Sequence, residues 1–561
     1  MQDNGIFMDN REVAALFKEL ADLMAISGEN PFKIRTYENA YRTIRGFEGN
    51  VLLMPKEALE RTPGFGKAVV GKIGEIAEKG TFDTLERYRR QVPAGLVEIS
   101  RVSGLGPKKV KAIHEQLGID TLEGVLAAAE DGTLAQIKGI SAKSIAKYIP
   151  SIQFLMEARG KVLFHKAEEM AAVFEKWLQG IFPERPFQRV GTLLVFDNVV
   201  ESIDLLMVGE EEQVCSALDA HSISYRKEGM GTLILEGSEI EHRIHLTSKD
   251  RFGWSVIQRS ASPAFIEGLK KEMGQKPSFE EVRSVFESCG LPEINPRLWH
   301  DVKSIDQARK GNLPSLIKEE QMNGLIHFHT LYSDGTASIE TMVKAAIERG
   351  WEYVVVTDHS KSAGYASGLQ VFRLEQQWRE IEQLQMRYPQ IDIYKGIESD
   401  ILKDGALDYP EEVLAKFDVV IGSIHSGLSM EKEVATKRIL HAIQNPHLRI
   451  LGHLTGRLLL RRAGYPLDIK AIIDACAEHD VAIEINANPR RLDLDWHWVA
   501  YAMQRGVLLS IQPDAHSVKG VADVRYGVLA GQKGGLTEAY NLSSLSRGAI
   551  AEWVGKGGNG C

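Results

Sequence analysis

Hydrophobic and polar positions change their texture twice along this chain. Over the first 150 residues, short apolar-periodic stretches are broken by glycine pairs, which predicts helices joined by tight turns. From about residue 186 the apolar residues gather into strand-like runs, RVGTLLVF, SIDLLMVG, GTLILEG and HRIHLTS, and a helical stretch follows near 264–290. GNLPSLIKEEQMNG (311–324) reads as a linker. Beyond it, strand runs alternate with helix patterns to about residue 515, the mark of repeated βα units and a parallel sheet or barrel. The glycine-rich end GKGGNGC is expected to be disordered.

One run raises a chemical question. In VESIDLLMVG (200–209), Asp204 shares a strand face with Ser202, while Glu201 points the other way. Two-metal nucleotidyl transfer uses paired carboxylates, which Asp-x-Asp on a strand supplies. Here the partner position is a serine.

Composition narrows the setting. A chain of 561 residues exceeds one core, so three to five domains are expected. With 44% hydrophobic and 25% charged residues, and no run of 18 apolar ones, it reads as soluble and globular without a membrane span. The start, MQDNGIFMDNREVAALF, lacks the layout of a signal peptide. Cys215, Cys289, Cys476 and Cys561 are far apart and form no CxxC, which suits a reducing cytoplasm. The net charge of −9 argues against a chain coated in nucleic acid, but leaves room for a local basic surface and an acidic metal pocket.

The strongest chemical signal lies where the strand runs of the last third end. LIHFHT carries His327 and His329, with Asp334 following in LYSDG. YVVVTDH ends in His359, IDIYKGIESD carries Glu398, FDVVIGSIH ends in His425 and LRILGH in His453. AIEINANPR ends in a polar loop with Arg490 and Arg491, and VLLSIQPDAH ends in Asp514 and His516. Each histidine alone would pass for a core or loop residue. Together they recur at the C-terminal ends of successive parallel strands, where α/β barrels place their sites. Histidine with carboxylate suits zinc, manganese or iron(II), and nine ligands exceed what one ion takes, so two or three ions are implied. Ions clustered in this way acidify bound water towards about pH 7 and hold the oxygens of a phosphate ester.

On HFHTLYSDG, VVVTDHS, GIESD, GSIHS, GHLTGR, EINANPRRLDL and DAHS, the stretch from about 322 to 530 resembles the PHP (polymerase and histidinol phosphatase) domain. The resemblance implies a distorted (β/α)7 barrel with a three-metal centre. The implied ligands are His327, His329, Asp334, His359, Glu398, His425, His453, Asp514 and His516, with Glu398 bridging two ions. Asp334, His359 and Arg457 are the candidate catalytic side chains, and Arg457 with Arg490 or Arg491 would clamp phosphate.

The helical region carries its own motif. RTPGFGKAVVGKIGEI (61–76) and RVSGLGPKKVKAIHEQ (101–116) each place a Gly-x-Gly turn before a lysine-bearing helix, through Gly64, Gly66 and Lys67, then Gly104, Gly106, Lys108 and Lys109. A third copy, QIKGISAKSIAKYI (136–149), keeps Gly139 but has Ser141 at the second glycine. Such turns offer backbone N–H groups to phosphate without reading sequence. Residues 61–120 hold eleven Lys/Arg against seven Asp/Glu, a locally basic stretch in an acidic chain. The layout resembles helix-hairpin-helix DNA-binding motifs. PFKIRTYENAYRTI (31–44) with the first hairpin looks like the amino-terminal domain of family X DNA polymerases. In lyase-active members a Schiff-base lysine follows that hairpin, and Lys72 stands at the matching place; a solvated or phosphate-contacting lysine is the plainer alternative.

A family X core before a PHP domain is the layout of bacterial family X polymerases, and this resemblance covers nearly the whole chain. It implies a multidomain α+β and α/β architecture: a helical lyase-like domain over 1–90, a second hairpin domain over 91–155, a palm over 156–250, a thumb over 251–315 and the PHP domain over 322–561. The palm departs from the family pattern. GTLLVFDN keeps Gly191 and Thr192 without an arginine pair, Asp-x-Asp has become Ser202-Ile203-Asp204, and His245 in RIHLTS stands where the third aspartate is expected. RSASPAF (259–265) replaces a glycine-serine turn and an asparagine. Losing one preorganised group commonly costs about 10² to 10³ in rate, so loss of two metal ligands predicts little templated synthesis and no firm Mg²⁺ site in the palm. The reading that follows is a cytoplasmic, nucleoid-associated, monomeric repair nuclease on gapped, nicked or 3′-ended DNA. Its activity would be 3′–5′ exonucleolytic, extending to abasic sites and 3′-phosphates. An active gap-filling polymerase with proofreading, a small-molecule phosphatase and a non-catalytic scaffold are the alternatives.

Overall fold

In a computed structural model of the chain, the described residues are 8, 10–45, 47, 50–237, 240–273 and 278–557. The first seven residues and residues 558–561, on which expectations about the chain's start, Cys561 and its glycine-rich end partly fall, lie outside them. Residues 555–557 of that end do not trail: they complete a helix, Arg547–Gly557. The chain divides into two compact units, one built from residues 1–159 with 461–463, the other from 160–460 and 464–561. Among the described residues no helix is long and apolar enough to cross a membrane.

The first unit is all helical. Its three glycine turns repeat one geometry: Gly64, Gly104 and Gly139 take φ of 91°, 90° and 88°, values open to glycine without steric cost. The residue between the two turn positions, Phe65, Leu105 or Ile140, is buried and anchors each turn in a common core.

In the second unit, after a helix, Phe164–Ile181, comes a five-stranded sheet: β1 Phe187–Arg189, β2 Ser202–Val208, β3 Tyr225–Lys227, β4 Thr232–Leu235 and β5 Glu241–Thr247. Its order is β1-β2-β5-β4-β3, with β2 and β5 parallel. RVGTLLVF is not one strand, as expected, because the backbone turns at Gly191 and TLLV forms a single helical turn, Thr192–Val195.

The barrel follows as seven parallel strands in sequential order: β6 Gly324–Leu325, β7 Tyr353–Val356, β8 Asp392–Asp400, β9 Val419–Ser423, β10 Leu448–Leu451, β11 Ala482–Asn486 and β12 Leu509–Gln512. Its interior strands are buried on both faces, hence their nearly unbroken apolar runs. The end strands meet where Phe328 bridges Ala515, and His329 N–H donates to Ala515 O at 2.8 Å. β6 is shorter than LIHFHT suggests because His327 leaves the strand conformation at φ 58°.

Sheet and barrel share one apolar core, which runs from Phe164 through Ile203 and Leu205 to Phe328 and Ile511. The stretch 311–324, expected as a linker, is pinned across the barrel instead. Ile317 and Met322 are buried, Leu316 bridges Thr537, and Ile317 N–H donates to Leu536 O at 2.8 Å. Two apolar side chains in a polar segment suffice to hold it down.

Candidate metal centre

All the candidate ligands of the barrel converge at one face, because each follows or ends a parallel strand. Among the described residues three groups place ligand atoms within 4.8 Å of one another: His329, Asp334, His359 and His516; His327, His329 and Asp514; and His359, Glu398 and His425. His453 joins through Glu398, its Nε2 lying 3.0 Å from Oε1. Glu398 divides the cluster between its two oxygens. Oε1 faces Nε2 of His327 at 3.3 Å and of His425 at 3.2 Å, and Oε2 lies 2.7 Å from His359 Nδ1. Asp334 reaches His359 and His516 at 3.5 and 3.4 Å, while Asp514 Oδ1 lies 3.1 Å from His329 Nε2. Gly335 makes the approach of Asp334 possible: a Cβ there would stand 2.2 Å from His329 O.

Three of these side chains sit on strained backbone. His327, His453 and Asp514 have φ of 58°, 21° and 50°, a region that side-chain-bearing residues seldom enter. Close as they are, His359 Nδ1 and Glu398 Oε2 do not meet in hydrogen-bond geometry, nor does His327 Nε2 with Glu398, and buried His329 Nδ1 has no hydrogen-bond partner. Orphaned imidazole nitrogens gathered around a carboxylate are the chemistry of a cation site, so these residues fit divalent ions.

The electrostatics agree. Burial would push Glu398 up, but the imidazoles of His425, His359 and His327 hold it well below the usual carboxylate range. Asp514 is likewise held low against its burial by His327, His329 and His516. Burial and Arg491 push His453 down to about 4. His425 is buried too, yet Glu398 and Asp400 raise it to about 10.

Sequence reasoning passed over several residues that orient this cluster. Glu484, fully buried in β11, lies 2.5 Å from His327 Nδ1 and accepts from the backbone N–H of His453. Asp400 lies 2.5 Å from His425 Nδ1. Each carboxylate fixes one ring nitrogen and turns the other towards Glu398. Asn486 donates to Asp514 Oδ2 at 3.2 Å. A charged residue inside an apolar strand, as in AIEIN, was the available signal for Glu484.

The arginines divide. The guanidinium of Arg457, expected as a catalytic phosphate clamp, donates to Arg491 O, Leu492 O and Asp495, and so holds the loop after β11. Arg490 is exposed, whereas Arg491 Nε lies 3.6 Å from Asp514 Oδ2 and brings positive charge to the cluster.

Among the described residues, the central sheet holds no comparable site. Asp204 is paired rather than orphaned: Ser202 Oγ donates to Oδ2, and His245 Nε2 lies 2.7 Å from Oδ1. His245 Nδ1 in turn lies 3.1 Å from Thr232 Oγ1, which accepts from Arg259 at 3.4 Å. Both carboxylate oxygens are thus committed to protein. Glu201 is exposed and pairs with Lys161 at 2.9 Å. Gly191 N–H donates to Ser260 Oγ at 2.9 Å, so that turn too is closed internally.

In the first unit, Gly66 and Gly106 cap Lys67–Lys79 and Pro107–Leu117 without a side-chain cap; Val69 and Lys109 N–H donate to Gly66 O and Gly106 O at 2.9 Å, and the N–H groups of Lys67, Ala68 and Lys108 are left available. Ser141 differs, closing its turn through a reciprocal capping box with Ser144. Lys67 and Lys108 are exposed, but Lys109 is tied to Gly104 O at 3.1 Å and Tyr148 Oη at 2.9 Å. Half-buried Lys72 has its Nζ 5.5 Å from the Tyr37 ring centroid and 5.7 Å from that of Phe82. Those rings attract its ammonium.

Comparison with known proteins agrees with this layout. A helix-hairpin-helix domain model matches residues 8–82, a SAM-like helix-hairpin-helix tandem 96–149, and the PHP domain 326–488. The DNA polymerase/3′-5′ exonuclease PolX of Bacillus subtilis (strain 168) is 30% identical over 558 residues, covering 95% of this chain and 97% of that protein. A probable phosphatase of Thermoanaerobacter sp. (strain X514) is 29% identical over 239 residues, 41% of this chain and 92% of its own length. Another, from Caldanaerobacter subterraneus subsp. tengcongensis, is 30% identical over 165 residues, 28% of this chain and 60% of its own. Similarity to the first of these runs from end to end, through hairpins, central sheet and barrel alike, and the chain therefore belongs to the bacterial family X DNA polymerases that carry a PHP domain.

Proposed function

We propose that this chain is a metal-dependent DNA repair hydrolase that removes nucleotides from 3′ ends, with the barrel as its catalytic centre. The observation that carries this reading is the contrast between its two candidate centres. The barrel gathers nine buried or half-buried imidazoles and carboxylates, while the palm keeps one aspartate with both oxygens bonded to neighbours. Divalent ions, manganese, zinc or iron(II), supply Lewis acidity and an acidified water when bound. The chain's own part is to bind and orient. Glu484 and Asp400 fix the rings of His327 and His425, and Glu398 stays ionised between two sets of imidazoles. Arg491 offers a guanidinium beside Asp514 for a phosphate oxygen. Abasic-site and 3′-phosphate ends belong to the same chemistry, and the uncapped hairpins at Gly66 and Gly106 would hold the DNA backbone without regard to sequence.

H329A and D514A are expected to abolish release of 3′ nucleotides from DNA while binding to the same DNA is retained. Digestion by both variants at the wild-type rate would overturn the assignment. A second reading, gap-filling synthesis, is favoured by the name of the Bacillus relative. Primer extension across a gap in Mg²⁺ or Mn²⁺ separates the two: we expect none above background, and robust extension abolished by D204A would reinstate the palm.

A further inference from the structure

The loops around the barrel's candidate metal centre carry exposed apolar side chains. Tyr365 is 54% exposed, and its ring centroid lies 6.0 Å from that of His359 and 6.2 Å from that of His425. Leu331, two residues after His329, and Val518, two after His516, are 47% and 41% exposed. All three leave the same ends of the strands as the ligands. The loops that carry them are tied together. Arg373 donates to Ser367 O at 3.0 Å and to Tyr332 O at 2.6 Å, and Thr336 N–H donates to His516 O at 2.7 Å. The Tyr365 loop is itself braced, with Ser362 N–H donating to Asp408 at 2.6 Å and Tyr409 Oη to Leu369 O at 2.5 Å. A half-exposed aromatic ring on a braced loop is a preorganised surface for stacking, and it lies beside two of the candidate ligand rings.

We propose that Tyr365 is the platform of a nucleobase subsite: the base at a DNA 3′ end, splayed from its neighbour, stacks on Tyr365 while its phosphodiester enters the imidazole–carboxylate cluster. This rests on the reading of the barrel as a DNA hydrolase, and it adds that the centre selects ends carrying a base.

The test uses the full-length protein and a DNA ending in 2-aminopurine, joined through a phosphorothioate that resists hydrolysis. Wild type and Y365F are expected to quench the terminal base, and Y365A to bind that end roughly 5- to 150-fold more weakly without quenching. In parallel, kcat/KM for removing a normal terminal nucleotide is divided by that for a base-less tetrahydrofuran end. The ratio is expected to fall towards one in Y365A and to be kept in Y365W. Quenching retained by Y365A, or an unchanged ratio, overturns the proposal. Y365F as impaired as Y365A overturns it as well, by assigning the effect to the hydroxyl. A wild-type protein that releases nothing from either DNA would refute the hydrolase reading, and the quenching titration would still decide whether the base stacks.

Discussion

Glu484 shows how much a single buried charge can organise. It stands alone as a carboxylate in AIEIN, with no exposure to water, against His327 on one side and the backbone of His453 on the other. E484Q keeps its size and hydrogen-bonding reach but loses the charge that fixes the His327 ring. We expect the substitution to weaken metal binding by about 10- to 100-fold, read as metal retained after dialysis against graded chelator. Retention equal to wild type would remove Glu484 from this role. At this scale the sequence was legible for groups that end strands, because position along a βα unit decides which face they reach. It did not show the partners of Arg457 in GHLTGR, whose guanidinium suits a phosphate oxygen. Which way a guanidinium turns depends on acceptors from another segment, here Arg491 O, Leu492 O and Asp495.

Among the elements, the glycine hairpins are nearly readable from the string alone, since a left-handed glycine, a buried apolar residue and a capping position recur at fixed spacing. Even the weakness of the third copy was legible, and Ser141 closes that turn on itself. The lysines were not equally legible. Lys67 and Lys108 are exposed, whereas Lys109 braces Gly104 O and Tyr148. K67A and K108A should each reduce the slope of log affinity against log salt by about 1. K109A should leave that slope unchanged and lower thermal stability by about 1 kcal/mol. A salt titration of DNA binding with a melting curve for each variant checks both, and a reduced slope in K109A would contradict its structural role.

Across the whole molecule, the central sheet and the barrel lie in one compact unit, joined by polar contacts as well as by the shared core. Asn198 donates to Asp495 at 3.0 Å, beside the Arg457 contact, and buried Lys533 donates to Val195 O at 3.3 Å. Burial holds the Lys533 amine at about 8, against an ordinary 10.5, with Asp197 only partly offsetting it. Between those values the folded chain carries a neutral amine and the unfolded chain a charged one, so stability rises with pH through that window. Below pH 8 the whole penalty applies, roughly 3 kcal/mol. K533M is therefore expected to raise Tm at pH 7 and to flatten the rise in Tm between pH 8 and 10. Parallel melting curves for the two proteins across that range would refute the assignment.

The sequence by itself determined the helical region with its glycine turns, the βα alternation of the barrel and the cluster of imidazoles and carboxylates at its strand ends. Each of these follows from local periodicity or from position within a repeating unit. Only the tertiary structure decided what Asp204 does, since its partners Ser202 and His245 come from two strands made neighbours by the sheet. Tertiary packing also seated Ile317 and Met322 of the 311–324 stretch on the barrel, gave Arg457 its partners Arg491 O, Leu492 O and Asp495, and brought Glu484 to His327. These are contacts between segments far apart in the chain, and what settles them is which groups packing buries together without water.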